Sequence, residues 1–285
     1  MPLVTLRDVL EPAVPQRYAV GSFNVTNHDF VEGVLAAAEE EGTPVILSVA
    51  EVHFRYLDLE RFVPYLHQRI ALSPVPVVLH LDHGTKKETL VKAMHWGFSS
   101  VMFDGSTLEW ADNVAQTREL ADLAHMAGIS IEAELGHVAG GEGDFEGGSE
   151  VDIGKYTDPA QAAEFVELTQ VDALAVAVGT VHGPYRQTPE LDLHRLEAIR
   201  QNTSVPLVLH GGSGLTAADF QAAVARGINK VNFYTENALV AVDAVKEALA
   251  QGRPMTYPDV TAVGRKAITV NTKRQISVFG TKPMQ

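Results

Sequence analysis

The sequence predicts a (β/α)8 barrel. The prediction rests on eight short apolar runs, on helical segments with readable ends between them, and on unusual polar residues gathered where the runs end. The runs are 18–25, 43–50, 75–82, 99–104, 129–135, 172–179, 205–211 and 228–233. Most are continuously apolar rather than alternating, as expected of parallel strands covered on both faces. A doubly wound open sheet shows the same alternation, so closure into a barrel is an expectation at this point.

The helices follow in order. Asn27 is placed to cap a helix whose apolar positions Phe30, Val31, Val34, Leu35 and Ala38 keep a 3.6-residue period. Asp158-Pro159 reads as a cap followed by proline in the first helical position, leading into Ala162, Phe165 and Val166. Thr216 with Asp219 resembles a capping box, and Gly227 sits where a left-handed C-terminal residue belongs. Thr235 is expected to cap the helix carrying Ala238, Leu239, Val242, Val245 and Leu249. A last helix is predicted over roughly 262–278. The longest irregular stretch, 136–157, is Gly-rich and acidic, and a loop of that length in a compact domain is usually mobile and functional.

Composition narrows the classes. With 285 residues, 46% apolar and 20% charged, the chain is an ordinary globular one, long enough for a full core. No composition break divides it, so one domain over 1–285 is expected. No apolar run approaches the ~18–20 residues of a membrane span. The N-terminal MPLVTLRDVLEPAVPQ lacks the pattern of a secretory signal. The absence of Cys excludes disulfides, thiolate nucleophiles and thiolate-bound metals. These features make the cytoplasm the expected compartment. A net charge of −14 argues against nonspecific binding to nucleic acid or anionic membranes, without forbidding an anionic small substrate.

In a barrel the chemistry sits at the C-terminal strand ends. The third run ends in His80-Leu81-Asp82-His83-Gly84 and the fourth in Asp104-Gly105-Ser106. The fifth carries Glu132 and Glu134. The sixth leads into Gly179-Thr180-Val181-His182-Gly183, the seventh into His210-Gly211-Gly212-Ser213-Gly214, and the eighth into Asn232-Phe233-Tyr234-Thr235. His83, His182 and His210 thus end three different strands at one mouth, an arrangement suited to a catalytic zinc with open positions. His28, His53, His67, His95, His125, His137 and His194 lie in helices or loops and are expected to face solvent. His80 is either core or a partner that orients a ligand. Asp82 is either an acceptor for a metal-bound histidine or a general acid/base. Glu134 and Asp104 are further candidate ligands or acceptors. The glycines at 211–214 precede a helix, where backbone N–H groups and the helix dipole favour an anion. The sixth run contains no Lys, and Lys230 lies toward the start of the eighth, away from the mouth. A Schiff-base nucleophile is therefore missing, and carbonyl activation falls to a metal.

These motifs resemble the class II, zinc-dependent fructose-bisphosphate and tagatose-bisphosphate aldolases. The resemblance covers nearly the whole chain: GSFNV at 21–25, PVIL at 44–47, HLDHG at 80–84, VMFDGS at 101–106, EAELGHV at 132–138, YTDPAQAAEFVELT at 156–169, then DALAVAVGTVHGPY, VPLVLHGGSG and KVNFYTENAL. It implies a (β/α)8 enzyme that reversibly cleaves a ketose 1,6-bisphosphate to dihydroxyacetone phosphate and glyceraldehyde 3-phosphate. By that resemblance His83, His182 and His210 bind Zn2+, and Asp82 exchanges the proton of the substrate C4 hydroxyl. Gly183, Gly211, Gly212, Ser213, Asn232 and Thr235 hold the dihydroxyacetone phosphate half, with Phe233 and Tyr234 beside them. Glu134 and Asp104 match an alternate metal site, and Asn24 lies near substrate. A monovalent cation (Na+ or K+) and a homodimer or homotetramer complete the implied picture.

The chain also departs from the family pattern. The loop reads Gly140-Gly141-Glu142-Gly143-Asp144, which makes Glu142 the first choice for the loop acid, ahead of Asp144 and Glu146. Ala50 stands where many members carry Ser or Thr near the distal phosphate, Tyr257-Pro258-Asp259 replaces Asp-Pro-Arg, and Tyr234 replaces a smaller or acidic residue. Arg253 and Arg265 are candidates to compensate. These changes favour, as the alternative, the same chemistry on a ketose 1-phosphate with an unphosphorylated or longer aldehyde. Two further classes fit these residues less well. A metal hydrolase often carries a His-x-His pair on an early strand, and none stands at strand one. A noncatalytic sugar-phosphate-binding subunit would not need Asp82 and an intact metal set.

Overall fold

The structure is a computed structural model and describes residues 2–140, 152–183, 189–252 and 254–284. Its eight strands are β1 (Val20–Asn24), β2 (Val45–Ala50), β3 (Val77–Gly84), β4 (Ser100–Phe103), β5 (Ser130–Leu135), β6 (Ala173–Val176), β7 (Leu207–Leu209) and β8 (Ile228–Phe233). Each pairs in parallel with the next, and β8 closes on β1, which settles the barrel against the open sheet. No helix among the described residues is long and apolar enough to cross a membrane.

Two cores hold the barrel. One lies between the sheet and the outer helices and takes the odd-numbered residues of the first four strands, among them Phe23, Leu47, Leu79, Val101 and Phe103. The other lies inside the lumen, where Val20, Ile46, Val78, Met102 and Val208 form its floor. That floor is sealed from below by two short helices the sequence reading did not anticipate, α1 (Leu6–Leu10) and α2 (Ala13–Gln16), through Leu6, Val9, Leu10, Ala13 and Tyr18. A Thr5/Asp8 capping box starts α1. Above the floor the inward residues turn polar: Ser22, Ser48, His80, Glu132 and Lys230, then Asn24, Asp82, Glu134, His210 and Asn232, all buried. The lumen is therefore graded, with apolar packing below and chemistry above.

The expected helix ends are in place. Asn27 accepts from the Phe30 N–H and starts α3 (His28–Glu41). Asp158 caps α7 (Pro159–Thr169), with Pro159 opening it. Thr216 and Asp219 form the box that starts α9 (Ala217–Ala225), and Gly227 follows with φ 114°. Between them run α4 (Leu59–Ala71), α5 (Lys87–His95), α6 (Trp110–Met126) and α8 (Leu193–Asn202). Thr235 is not a cap: it is the first residue of α10 (Thr235–Ala250), and Tyr234 takes the cap position without a side-chain bond. The last helix, α11 (Tyr257–Phe279), begins earlier than periodicity indicates because Thr256 and Asp259 cap it. Asp259 thus has a helix-capping task. Gly33 lets α11 close on α3, since a Cβ there would meet Ile268 Cγ2 at 2.8 Å.

Candidate active site

A local irregularity of β3 creates the site. Asp82 and His83 are adjacent, and in a regular strand they would point to opposite faces. The β3–β4 register shifts between Leu81 and Gly84, and His83 has φ 48°. This bulge with a left-handed residue turns both side chains into the mouth, a use of backbone strain typical of functional positions.

Three imidazoles converge there. His83 Nε2 lies 3.1 Å from His182 Nε2 and 2.8 Å from His210 Nδ1. Tetrahedral ligands at zinc–nitrogen bond lengths stand roughly 3.3 Å apart, so these atoms need only slight spreading to hold one ion. Two of the rings are braced from behind. His83 Nδ1 meets Asp104 Oδ2 at 2.8 Å, and His210 Nε2 meets Glu132 Oε1 at 2.9 Å. Such carboxylate contacts fix tautomer and ring orientation. Glu134 accepts from the Val138 N–H through Oε1, while its buried Oε2 has no partner among the described residues. With Asp104 and His83 it forms a second cluster of metal-ligating atoms. Burial pushes the Glu134 carboxyl up to about 8, helped by the Asp104 charge. An orphaned carboxylate oxygen beside three imidazoles is a donor set that suits a divalent cation. Burial opposes charge on His83, yet Asp82, Asp104 and Glu134 outweigh it and raise the ring to about 10. Burial and the neighbouring imidazoles lower His182 and His210.

Asp82 is fully buried and oriented by two amides. Asn24 Nδ2 donates to Oδ2 at 3.0 Å, and Asn232 Nδ2 to Oδ1 at 2.9 Å. Burial alone would raise its pKa. The positive field of His83, His210 and Lys230 prevails and holds the carboxyl below the usual range.

The layer beneath revises the reading of Lys230. It is away from the open mouth, but it lies in the lumen directly under the imidazoles. Its Nζ is fully buried, 2.8 Å from Glu132 Oε2 and 3.5 Å from His80 Nε2. His80 donates to or accepts from Ser100 Oγ at 2.8 Å, and burial with the Lys230 charge lowers it to about 3. His80 is therefore a neutral partner in this layer, not a ligand. The signal was available: residues 132 and 230 share the inward period of Glu134 and Asn232.

The glycine cradle follows β6 and β7. Gly183 and Gly211 have φ 75° and 68°, and a Cβ on Gly211 would stand 2.4 Å from the Val181 carbonyl oxygen. Gly211→Ala is expected to cost about 1–3 kcal/mol of stability, read by thermal unfolding. Gly212 is buried, Ser213 half-buried, and Thr235 buried at the start of α10. Phe233 needs correction as a substrate-contacting side chain. It alternates with the inward Asn232, so its ring packs outside the barrel against Phe23, Phe220 and Phe279. Tyr234 is 9% exposed and packs on Phe30 and His53. Ala50 is buried in register with Asp82. Arg265 sits on α11, 3.6 Å from Asp29. Glu142, Asp144, Glu146 and Arg253 lie outside the described residues.

Three histidines expected in solvent are partly or fully buried. His137 is half-buried at the mouth, 3.0 Å from Ser106 Oγ. His53 is 1% exposed, because the 3-10 turn Glu51–Tyr56 folds it inward under Tyr234. His67 is half-buried, with Nε2 2.8 Å from the Trp96 carbonyl oxygen. His28, His95, His125 and His194 are exposed. Burial is the main cause that lowers His53 to about 4, with Arg55 adding to it and Asp82 opposing. The unfolded ring takes a proton below about pH 6.5 and the folded ring only near 4. The unfolded chain therefore binds more protons in that window, and stability falls as pH drops through it. His53→Asn is expected to flatten this acid limb by on the order of 2–3 kcal/mol, measured by denaturant unfolding at pH 7 and pH 4.5.

The mouth cavity is lined by Glu51, Val52, His83, Thr85, Asp104 and His182, among others. A larger cleft at the opposite end has charges already paired, Arg7 and His125 both with Asp172. Among the described residues, only the mouth combines convergent imidazoles, an oriented carboxylate and a glycine-rich turn. A barrel so equipped is suited to metal-assisted chemistry on a small anionic molecule.

Comparison with known proteins defines the class further. A family model described as fructose-bisphosphate aldolase class-II matches residues 4–283. A probable fructose-bisphosphate aldolase of Bacillus subtilis is 41% identical, with 98% of each chain covered. A fructose-bisphosphate aldolase of Geobacillus stearothermophilus is 40% identical at the same coverage. Among solved structures, the YdjI aldolase of Escherichia coli K12 superposes with a TM-score of 0.87 at 37% identity, covering 98% of each chain. The chain belongs to the class II fructose-bisphosphate aldolase family. It is an enzyme, a carbon–carbon lyase, and the hydrolase and noncatalytic alternatives give way to that.

Proposed function

We propose that this chain is a zinc-dependent aldolase that reversibly cleaves a ketose 1,6-bisphosphate, fructose or tagatose in configuration, to dihydroxyacetone phosphate and glyceraldehyde 3-phosphate. The observation that carries the reading is buried Asp82, held by Asn24 and Asn232 beside three convergent imidazoles. His83, His182 and His210 would hold the zinc, with Glu134 and Asp104 as the alternate set. Bound there, the ion supplies Lewis-acid polarisation of the ketose carbonyl. Asp82 takes the C4 hydroxyl proton, which lets the C3–C4 bond break. Backbone N–H groups of Gly183, Gly211, Gly212 and Ser213, with Thr235 at the start of α10, hold the phosphate and position the chain without touching the breaking bond. Glu142 returns a proton to carbon. The fructose assignment draws on the names of the Bacillus and Geobacillus relatives.

The same reading includes one domain over 1–285, a Na+ or K+ ion beside the phosphate, a cytoplasmic location, and a homodimer or homotetramer. Exposed Leu239, Val242 and Leu249 on α10 and Val270 on α11 support self-association.

One observation favours the alternative substrate. Ala50 places a methyl beside Asp82, and among the described residues the mouth lining has no Lys or Arg for a second phosphate. The test is a turnover panel of fructose and tagatose bisphosphates against ketose 1-phosphates, on zinc-loaded and chelator-treated protein. Bisphosphate turnover at least tenfold above the monophosphates is expected. Cleavage of monophosphates only would replace the substrate, and full activity without zinc would overturn the mechanism.

A further inference from the structure

A buried histidine outside the metal cluster carries the inference. His53 is 1% exposed, and neither ring nitrogen has a hydrogen-bond partner among the described residues. Burying a polar pair unsatisfied is costly, and native proteins tolerate it chiefly where a ligand or water completes the bond. The ring is held in place, with its centroid 4.4 Å from that of Tyr234. Tyr234 lies two residues after Asn232, which grips Asp82. The Asp82 carboxylate is near enough for its charge to act on His53.

The substrate path gives this ring a purpose. On the reading above, the ketose runs from the cradle after β7 and β8, past the imidazoles, to Asp82 at the end of β3. Beside Asp82 on β2 stands Ala50, in register with it and offering only a methyl. Three residues further on stands His53, the buried polar side chain of the turn that follows β2. We propose that His53 determines aldehyde specificity by hydrogen-bonding a hydroxyl group on the departing aldehyde half. Buried as it is, the ring titrates only near 4 and is neutral at working pH. A neutral imidazole has one donor and one acceptor, which match a hydroxyl better than a phosphate dianion.

The proposal rests on the aldolase reading, and its test separates the two. In the synthetic direction, dihydroxyacetone phosphate is paired with aldehydes that differ by one hydroxyl: glycolaldehyde against acetaldehyde, and glyceraldehyde 3-phosphate against 3-oxopropyl phosphate. His53→Phe keeps a ring on Tyr234 and removes both nitrogens. It is expected to lower the hydroxylated-to-deoxy ratio of kcat/KM by about 10- to 100-fold, nearly all through the hydroxylated member. His53→Gln restores part of the ratio. Should His53→Phe not fold, His53→Leu is read the same way. An unchanged ratio, or an equal loss for both members, overturns the role of His53. Solvent exchange of the dihydroxyacetone phosphate C3 proton by the wild-type enzyme, with no aldehyde present, reports the aldolase reading alone. Exchange with an unchanged ratio defeats only His53, and no exchange defeats both.

Discussion

Asp82→Ala is expected to lower kcat for ketose cleavage by about 10²- to 10⁴-fold while the zinc content stays at the wild-type level. The two effects separate because the adjacent residues divide the work. His83 offers Nε2 to the cluster, and its other nitrogen is held by Asp104, not by Asp82. Removing the Asp82 carboxylate leaves the three ring nitrogens and their braces intact. It removes the group proposed to accept the C4 hydroxyl proton, and no other carboxylate is gripped by both Asn24 and Asn232 among the described residues. The surrounding positive charges keep Asp82 ionised at neutral pH, so it is available as a base from the outset. The checks are kcat by coupled assay and zinc by elemental analysis on the same preparation. Cleavage within tenfold of wild type takes Asp82 out of the proton-transfer role, and loss of zinc makes it part of the metal site.

Much of this geometry is legible in the sequence, for identifiable reasons. Parallel strands buried on both faces must be apolar, so the eight runs stand out and their ends can be located to within a few residues. His83, His182 and His210 each stand at or just past the end of such a run, which places them at one mouth as soon as the barrel closes. Helix caps are local chemistry, and Asn27, Asp158 and Thr216 are read correctly from their neighbours alone. What is hidden depends on chain reversal or on the lumen. His53 follows a strand in a turn with no periodicity to show which way it faces, so its burial under Tyr234 emerges only in three dimensions. Glu132 and Lys230 sit in mostly apolar strands, and only closure brings β5 and β8 face to face. The strand period does predict that Phe233 opposes Asn232.

The largest effect on the metal is expected at His210, and the residues beneath it show why. His210→Ala removes a converging nitrogen and should abolish zinc retention and cleavage together. Glu132→Gln tests the support instead of the ligand. Glu132 holds His210 Nε2 at 2.9 Å and at the same time neutralises buried Lys230. Losing an outer partner of a ligating histidine costs about 10- to 100-fold in metal affinity. Leaving a buried ammonium unpaired costs about 3–5 kcal/mol of stability. The single variant should therefore show both losses, read by competition with a zinc chelator and by denaturant unfolding of the metal-free protein. Glu132→Gln with Lys230→Met removes both charges, so it should recover most of the stability while zinc affinity stays low. If stability and affinity recover together, Glu132 serves only to balance Lys230. If affinity alone stays down, the carboxylate sets the orientation of His210, and the ion pair in the lumen exists to keep that carboxylate charged and in place.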